Sequence, residues 1–211
     1  FMDGRPRGEG MTKNATDLIL RDRLQFTPDA TGNQATLYGR FDLSDFTSAL
    51  ERKGLSIKEV QFQVRDPTNG TLDNTGIWNQ VGIASNAGSP TTMELAGFKV
   101  FATTRAYEDA ADVGIASPDV LCIEEWQSYV TPFDVGVGLP GNVLTLHNKY
   151  GTADLHPSGF PVVTDLLIGV ACDLWATSAD AVLEIDIMLI AAPITITQKQ
   201  LTEMLVQGQD Q

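Results

Sequence analysis

Two long runs of alternating residues near the C-terminal end constrain this chain more than anything else in its sequence. Val162, Thr164, Leu166, Ile168, Val170, Cys172 and Leu174 occupy alternate positions, with Val163, Asp165, Leu167, Gly169, Ala171, Asp173 and Trp175 between them. A strand sends successive side chains to opposite faces, so the first set predicts one apolar face. After the break at 177–180, Leu183, Ile185, Ile187, Leu189 and Ala191 repeat the pattern against Val182, Glu184, Asp186, Met188 and Ile190. Such β-branched runs need a second sheet to cover them. At 211 residues the chain is long enough to supply that sheet within one core.

Similar patterns recur upstream. Leu18, Leu20, Leu24 and Phe26 share a face, as do Ala35, Leu37, Gly39 and Phe41. Over 55–64 the phase shifts between Ile57 and Val60, which predicts a bulge near Lys58-Glu59. Ala96, Phe98, Val100 and Ala102 mark another strand. The principal strands expected are 17–26, 34–41, 55–64, 93–106, 119–126, 142–147, 162–174 and 181–191, with a shorter one near 77–83. Between the second and third, Asp42 or Ser44 starts a predicted helix carrying Phe46, Ala49 and Leu50, with Gly54 as its stop. Pro193 is expected to end the last strand. A capping box at 197–200 then opens a helix bearing Leu201, Met204 and Leu205. The domain plan is a flexible arm at 1–15, a β domain at 16–192 and an extension at 193–211.

Charge is unevenly placed. The formal net charge of −13 falls entirely on residues 106–211, where Lys149 and Lys199 face 15 acidic side chains. That half is a poor surface for nucleic acid. Basic residues gather instead in the arm and first strand: Arg5, Arg7, Lys13, Arg21 and Arg23. They suit contact with nucleic acid or a neighbouring subunit, or a plain solvated tail. No apolar run is long enough to span a bilayer. Cys122 and Cys172 lie in apolar surroundings and read as buried free thiols.

The sequence shows no reactive motif. His147 and His156 are the only histidines, and they lack the i, i+2 pairing of a cupin metal site. There is no Gly-x-Ser-x-Gly elbow, phosphate-binding glycine loop or CxxC pair. Glu108, Asp109 and Asp112 lie in the densest acidic region and are candidates for a structural calcium ion. A solvated loop face is the plainer reading. Asp66, Asn69 and Asp73 are a weaker set of the same kind. Trp78, Trp126 and Trp175 would suit a sugar-stacking platform or a core. The expectation is a protein without catalytic residues and without a cofactor other than that calcium.

Eight antiparallel strands in this order, with a helix after the second and another at the C-terminus, fit two Greek keys wrapped into a jelly roll. This order of elements over residues 16–192 resembles the single jelly-roll capsid proteins of small icosahedral viruses. The resemblance implies an all-β sandwich that assembles with copies of itself into a virion shell, with packaged nucleic acid met through the arm. It also implies that 181–191 lies between 17–26 and 55–64, with 142–147 beyond the latter. Strand 162–174 would lie between 34–41 and 93–106, with 119–126 outermost. Leu201, Met204 and Leu205 would then dock on the chain's own core or on a neighbouring subunit. The competing expectation is a carbohydrate-binding or adhesive β-sandwich.

Overall fold

The computed structural model describes residues 17–68, 74–83, 94–130, 143–151 and 159–207. Among the described residues nine strands form two antiparallel sheets: β1 (Leu18–Phe26), β2 (Gln34–Phe41), β3 (Lys53–Arg65), β4 (Glu94–Thr103), β5 (Val120–Val130), β6 (Val143–Tyr150), β7 (Phe160–Val162), β8 (Leu166–Asp173) and β9 (Leu183–Thr195). One sheet has the order β1-β9-β3-β7 and the other β2-β8-β4-β5-β6. Their facing sides enclose a single main core that includes Phe26, Leu55, Ile57, Phe98, Val100, Ile168, Val170, Ile185 and Leu189.

The two C-terminal runs behave as the alternation predicts over most of their length. Leu183, Ile185, Ile187, Leu189 and Ala191 are all buried, as are Leu166, Ile168, Val170 and Cys172. The expected strand 181–191 pairs with β1 on one side and β3 on the other. The register of β3 against β9 slips between Ile57 and Glu59, at the predicted bulge. β8 lies between β2 and β4, and β5 lies beyond β4.

The expected strand 162–174 is divided. Phe160–Val162 pairs with Ser56 and its neighbours in β3, and β8 begins at Leu166 in the opposite sheet. Asp165 fixes the crossing: one carboxylate oxygen accepts from the Leu43 backbone N–H at 2.8 Å and the other from Arg40 Nε at 2.6 Å. At the far end the alternation fails. Leu174 takes a left-handed φ of 56° and is 54% exposed, while Trp175 turns inward and is fully buried.

Strand 142–147 was expected beyond 55–64. It pairs instead with β5, in continuous register from Ile123↔Tyr150 to Val130↔Val143, and β7 takes the place beyond β3. Pairing with β5 sets Lys149 opposite the buried Glu124 and His147 opposite Trp126, contacts that the other sheet edge would not provide.

The predicted helix after the second strand is absent. Asp42 Oδ1 accepts from Ser44 N, Phe46 N and Thr47 N both donate to Leu43 O, and Ser48 bridges Lys53 in a tight hairpin. The stripe that suggested a helix has nothing to cover it: Leu50 is 97% exposed, whereas Leu43 is fully buried. Gly54, the expected helix stop, lies within β3. The shorter strand expected near 77–83 reduces to one bridge, Arg65↔Ile77. Pro193 does not end β9, which runs to Thr195. Among the described residues only β3 accompanies β9 beyond Ala191, so the missing N–H of Pro193 breaks no described pairing with β1.

The C-terminal helix α1 (Gln198–Gln207) opens on the expected box. Thr197 Oγ1 accepts from Gln200 N at 3.3 Å, and Gln200 Oε1 accepts from Thr197 N at 3.0 Å. Ile196 and Leu201 are buried, which holds the start of this extension against the chain's own body. Among the described residues no helix is long and apolar enough to cross a membrane.

Candidate interaction surfaces

The sites expected from sequence distribute unevenly over this sandwich. Arg5, Arg7 and Lys13 lie outside the described residues, as do His156, Asn69, Asp73 and the side chains of Met204 and Leu205. Arg21 and Arg23 project from the outer face of the four-stranded sheet, opposite Met188 and Asp186 respectively. Arg23 is engaged there: its guanidinium meets Asp186 at 2.6 Å and Glu184 at 3.3 Å. Arg65 reaches Glu184 at 3.1 Å and Asp186 at 3.6 Å, and Gln25 donates to Glu184 at 2.8 Å. This face therefore carries a compensated ladder of charges, and Arg23 is not a free cation.

Glu108, Asp109 and Asp112 are exposed and belong to a segment that folds back over the five-stranded sheet. Ala110 and Val113 of that segment pack on Phe101 and Ile123, with Tyr38, Tyr107, Val120 and Ala171 around them, to form a second small core. The backbone is pinned at several points. Lys99 Nζ donates to the carbonyls of Ala110 and Val113 at 3.0 and 2.5 Å. Thr36 Oγ1 accepts from Ala110 N at 2.7 Å, and Tyr38 Oη accepts from Tyr107 N at 2.8 Å. Asp109 Oδ1 accepts from Ala111 N and so caps the Ala110–Asp112 3-10 turn. Among the described residues, no group of three or more His, Cys, Asp or Glu side chains converges as a metal site would require. The role visible for Asp109 is to shape this flap.

The three tryptophans do not make a platform. Trp78, Trp126 and Trp175 are all buried. Trp78 stacks on Trp175 at 4.9 Å and meets Trp126 edge-on at 5.5 Å, with Phe98 packed among them. Rings facing inward cannot stack on a sugar, which corrects that reading. Cys122 and Cys172 are free and buried, as expected, and burial pushes each thiol up to about 12.

Sequence reasoning missed what forms around β6. Glu124 lies buried on the inner side of β5 between two basic side chains of β6. His147 Nε2 is 2.9 Å from Glu124 Oε2, and Lys149 Nζ donates to Oε1 at 3.0 Å. The imidazole also stacks on Trp126 at 4.3 Å. The His147 and Lys149 spacing of two was visible in the sequence, but the acid opposite them emerges only from the register. On the outer side, Leu95, Tyr129 and Leu144 line up across three strands. Leu95 is 48% exposed, Leu144 56% and Leu146 40%. Among the described residues, the flap over Phe101 does not reach this end of the sheet.

No family model and no curated protein matches the chain. The fold is an all-β sandwich of two antiparallel sheets with an outer flap, and beside β6 lie the buried Glu124 with its two partners, His147 and Lys149, and an apolar strip.

Proposed function

We propose that this chain is a coat subunit, a jelly roll that assembles with copies of itself into a closed icosahedral virion shell around a genome. The strand order carries the reading. β1-β9-β3 in one sheet and β2-β8-β4-β5 in the other place chain-distant strands side by side, as two nested Greek keys do. The position of β6 departs from that plan, so the resemblance rests on seven of the eight strands expected. In this reading the work is mechanical: the sandwich supplies a rigid wall, and its edges and terminal segments meet neighbouring copies. In the same reading the arm with Arg5, Arg7 and Lys13 meets the nucleic acid.

Electron microscopy and light scattering on the purified full chain test this directly. Uniform closed particles are expected. A stable monomer at all concentrations, retained on a polysaccharide column, would overturn the shell in favour of a carbohydrate-binding sandwich.

A further inference from the structure

The four outer strands of the two sheets are not alike. An edge strand exposes a row of unpaired N–H and C=O groups, and proteins that stay apart blunt such rows. On β1, Asp22 falls on the inward-facing parity, opposite Ile187, and its carboxylate accepts the Arg23 backbone N–H at 2.8 Å. β7 is three residues long and contains Pro161. On β2 the register breaks between Gln34 and Leu37, the Gln34 side chain donates to the Ala35 carbonyl, and the flap bonds to Thr36 and Tyr38.

β6 is blunted less: its inward-parity charge, Lys149, is neutralised by Glu124 at 3.0 Å, and Thr145, on the same parity, donates to the Gln80 carbonyl at 2.9 Å. The strand is eight residues long with no proline and no register slip against β5. Among the described residues, no strand pairs with its open side. It also exposes Val143, Leu144, Leu146 and Tyr150. We propose that the open edge of β6 is a self-association surface, on which β6 of a second copy adds antiparallel about a two-fold axis, joining two five-stranded sheets into one of ten.

The chemistry selects this occupant. A row of unpaired backbone groups about 26 Å long, at ~3.3 Å per residue, is complemented by another extended strand, and an identical strand matches it in length and side-chain alternation. An isologous contact brings each group against its own kind of surface, so a charged patch would repel itself. In a chain of net charge −13, most acidic surface fails that condition. Here the two carboxylates of β5 are each met by a lysine, Glu124 by Lys149 at 3.0 Å and Glu125 by Lys99 at 3.5 Å. A strand edge with a short apolar strip is smaller than the ~800 Å² per partner of a standard interface, so the dimer is weak and concentration-dependent.

The surface does not require the shell. Sedimentation velocity over a concentration series, on the full chain and on Leu144→Lys/Leu146→Lys, tests it. Both leucines are exposed, so the variant keeps the parent's circular dichroism spectrum and melting curve. The parent is expected to form dimers or larger species as concentration rises, with hydrogen exchange at Val143–Tyr150 slowing in step. The variant weakens that association at least about tenfold, the effect of ~1.4 kcal/mol. Three results would overturn the inference: a parent that stays monomeric, a variant that associates unchanged, or β6 amides equally protected in dilute monomer, which would mean that the chain covers its own edge. Particles that still form in the variant would reject this edge and leave the shell standing. Dimers without particles would do the reverse.

Discussion

Replacing Gly169 by alanine probes how the flap is seated. Gly169 lies in β8 between Tyr38 of β2 and Phe101 of β4, on the outer side of the sheet. A Cβ built there would stand 2.1 Å from Phe101 Cζ and 2.4 Å from Cε2, against an ordinary contact of 3.4–4 Å. The ring must therefore retreat by about 1 Å or more, in an interior packed too closely to absorb it. It has nowhere to go: it is fully buried, meets Tyr38 edge-on at 5.7 Å and carries Ala110 and Val113. Overpacking of this kind costs roughly 1–3 kcal/mol. Removing glycine from a strand interior returns about 0.5–1 kcal/mol. With no room for the ring to yield, the upper part of that cost applies, and the net expectation is a loss of roughly 1–2.5 kcal/mol, or about 2–10 °C in Tm for a chain of this size. Urea titration measures the first quantity and calorimetry the second. Hydrogen exchange should accelerate at Ala110–Val113 before it does in β9. The double variant Gly169→Ala/Phe101→Leu makes the room that the methyl needs, so Phe101→Leu should cost less in the alanine background than in the parent. A Gly169→Ala variant within ~0.5 kcal/mol of the parent, or strictly additive losses, would refute the close seating of the flap.

Two further outcomes follow from burial. Leu43→Ala should cost about 2–5 kcal/mol in urea titration, whereas Leu50→Lys should stay within ~0.5 kcal/mol; the reverse order would restore the helix that the hairpin displaced. The thiols of Cys122 and Cys172, raised from 9.0 to about 12, stay protonated in the folded chain after the unfolded chain has ionised. Stability should therefore fall as pH rises from about 9 towards 12, by ~1.4 kcal/mol per unit per thiol, with no contribution below pH 9. Urea midpoints across that window, compared between the parent and Cys122→Ala/Cys172→Ala, isolate this slope. Equal slopes would show that the thiols are not withheld from solvent.

The parts of the fold that could be read in advance are those where one physical rule acts alone. The inner face of β9 shows uninterrupted alternation because the core covers it from Leu183 to Ala191, and the bulge beside Lys58 shows as a change of phase. The capping box at Thr197 is a local exchange of two hydrogen bonds. Elsewhere tertiary structure decided. Leu174 and Trp175 continue the alternation in sequence, yet a single left-handed residue turns the larger ring inward. Phe46, Ala49 and Leu50 have helical spacing, but three residues without a surface to cover do not hold a helix against a hairpin. β6 has apolar side chains on both faces, so its pattern names neither sheet, and its partner was settled by Glu124 and Trp126 on β5. The edge proposed for self-association escaped notice for the same reason: an open row of amides is a property of strand order, which no run of residues displays.

The step from Val162 to Leu166 gives one short stretch of chain membership of both layers. With Asp165 tied to Leu43 and Arg40, the layers are stitched together at that corner by main chain and by a carboxylate bracket, in addition to the apolar contact between them. A load that slides one layer over the other must first tear this stitch. Whatever forces the molecule meets, shear between the layers is resisted first at that corner.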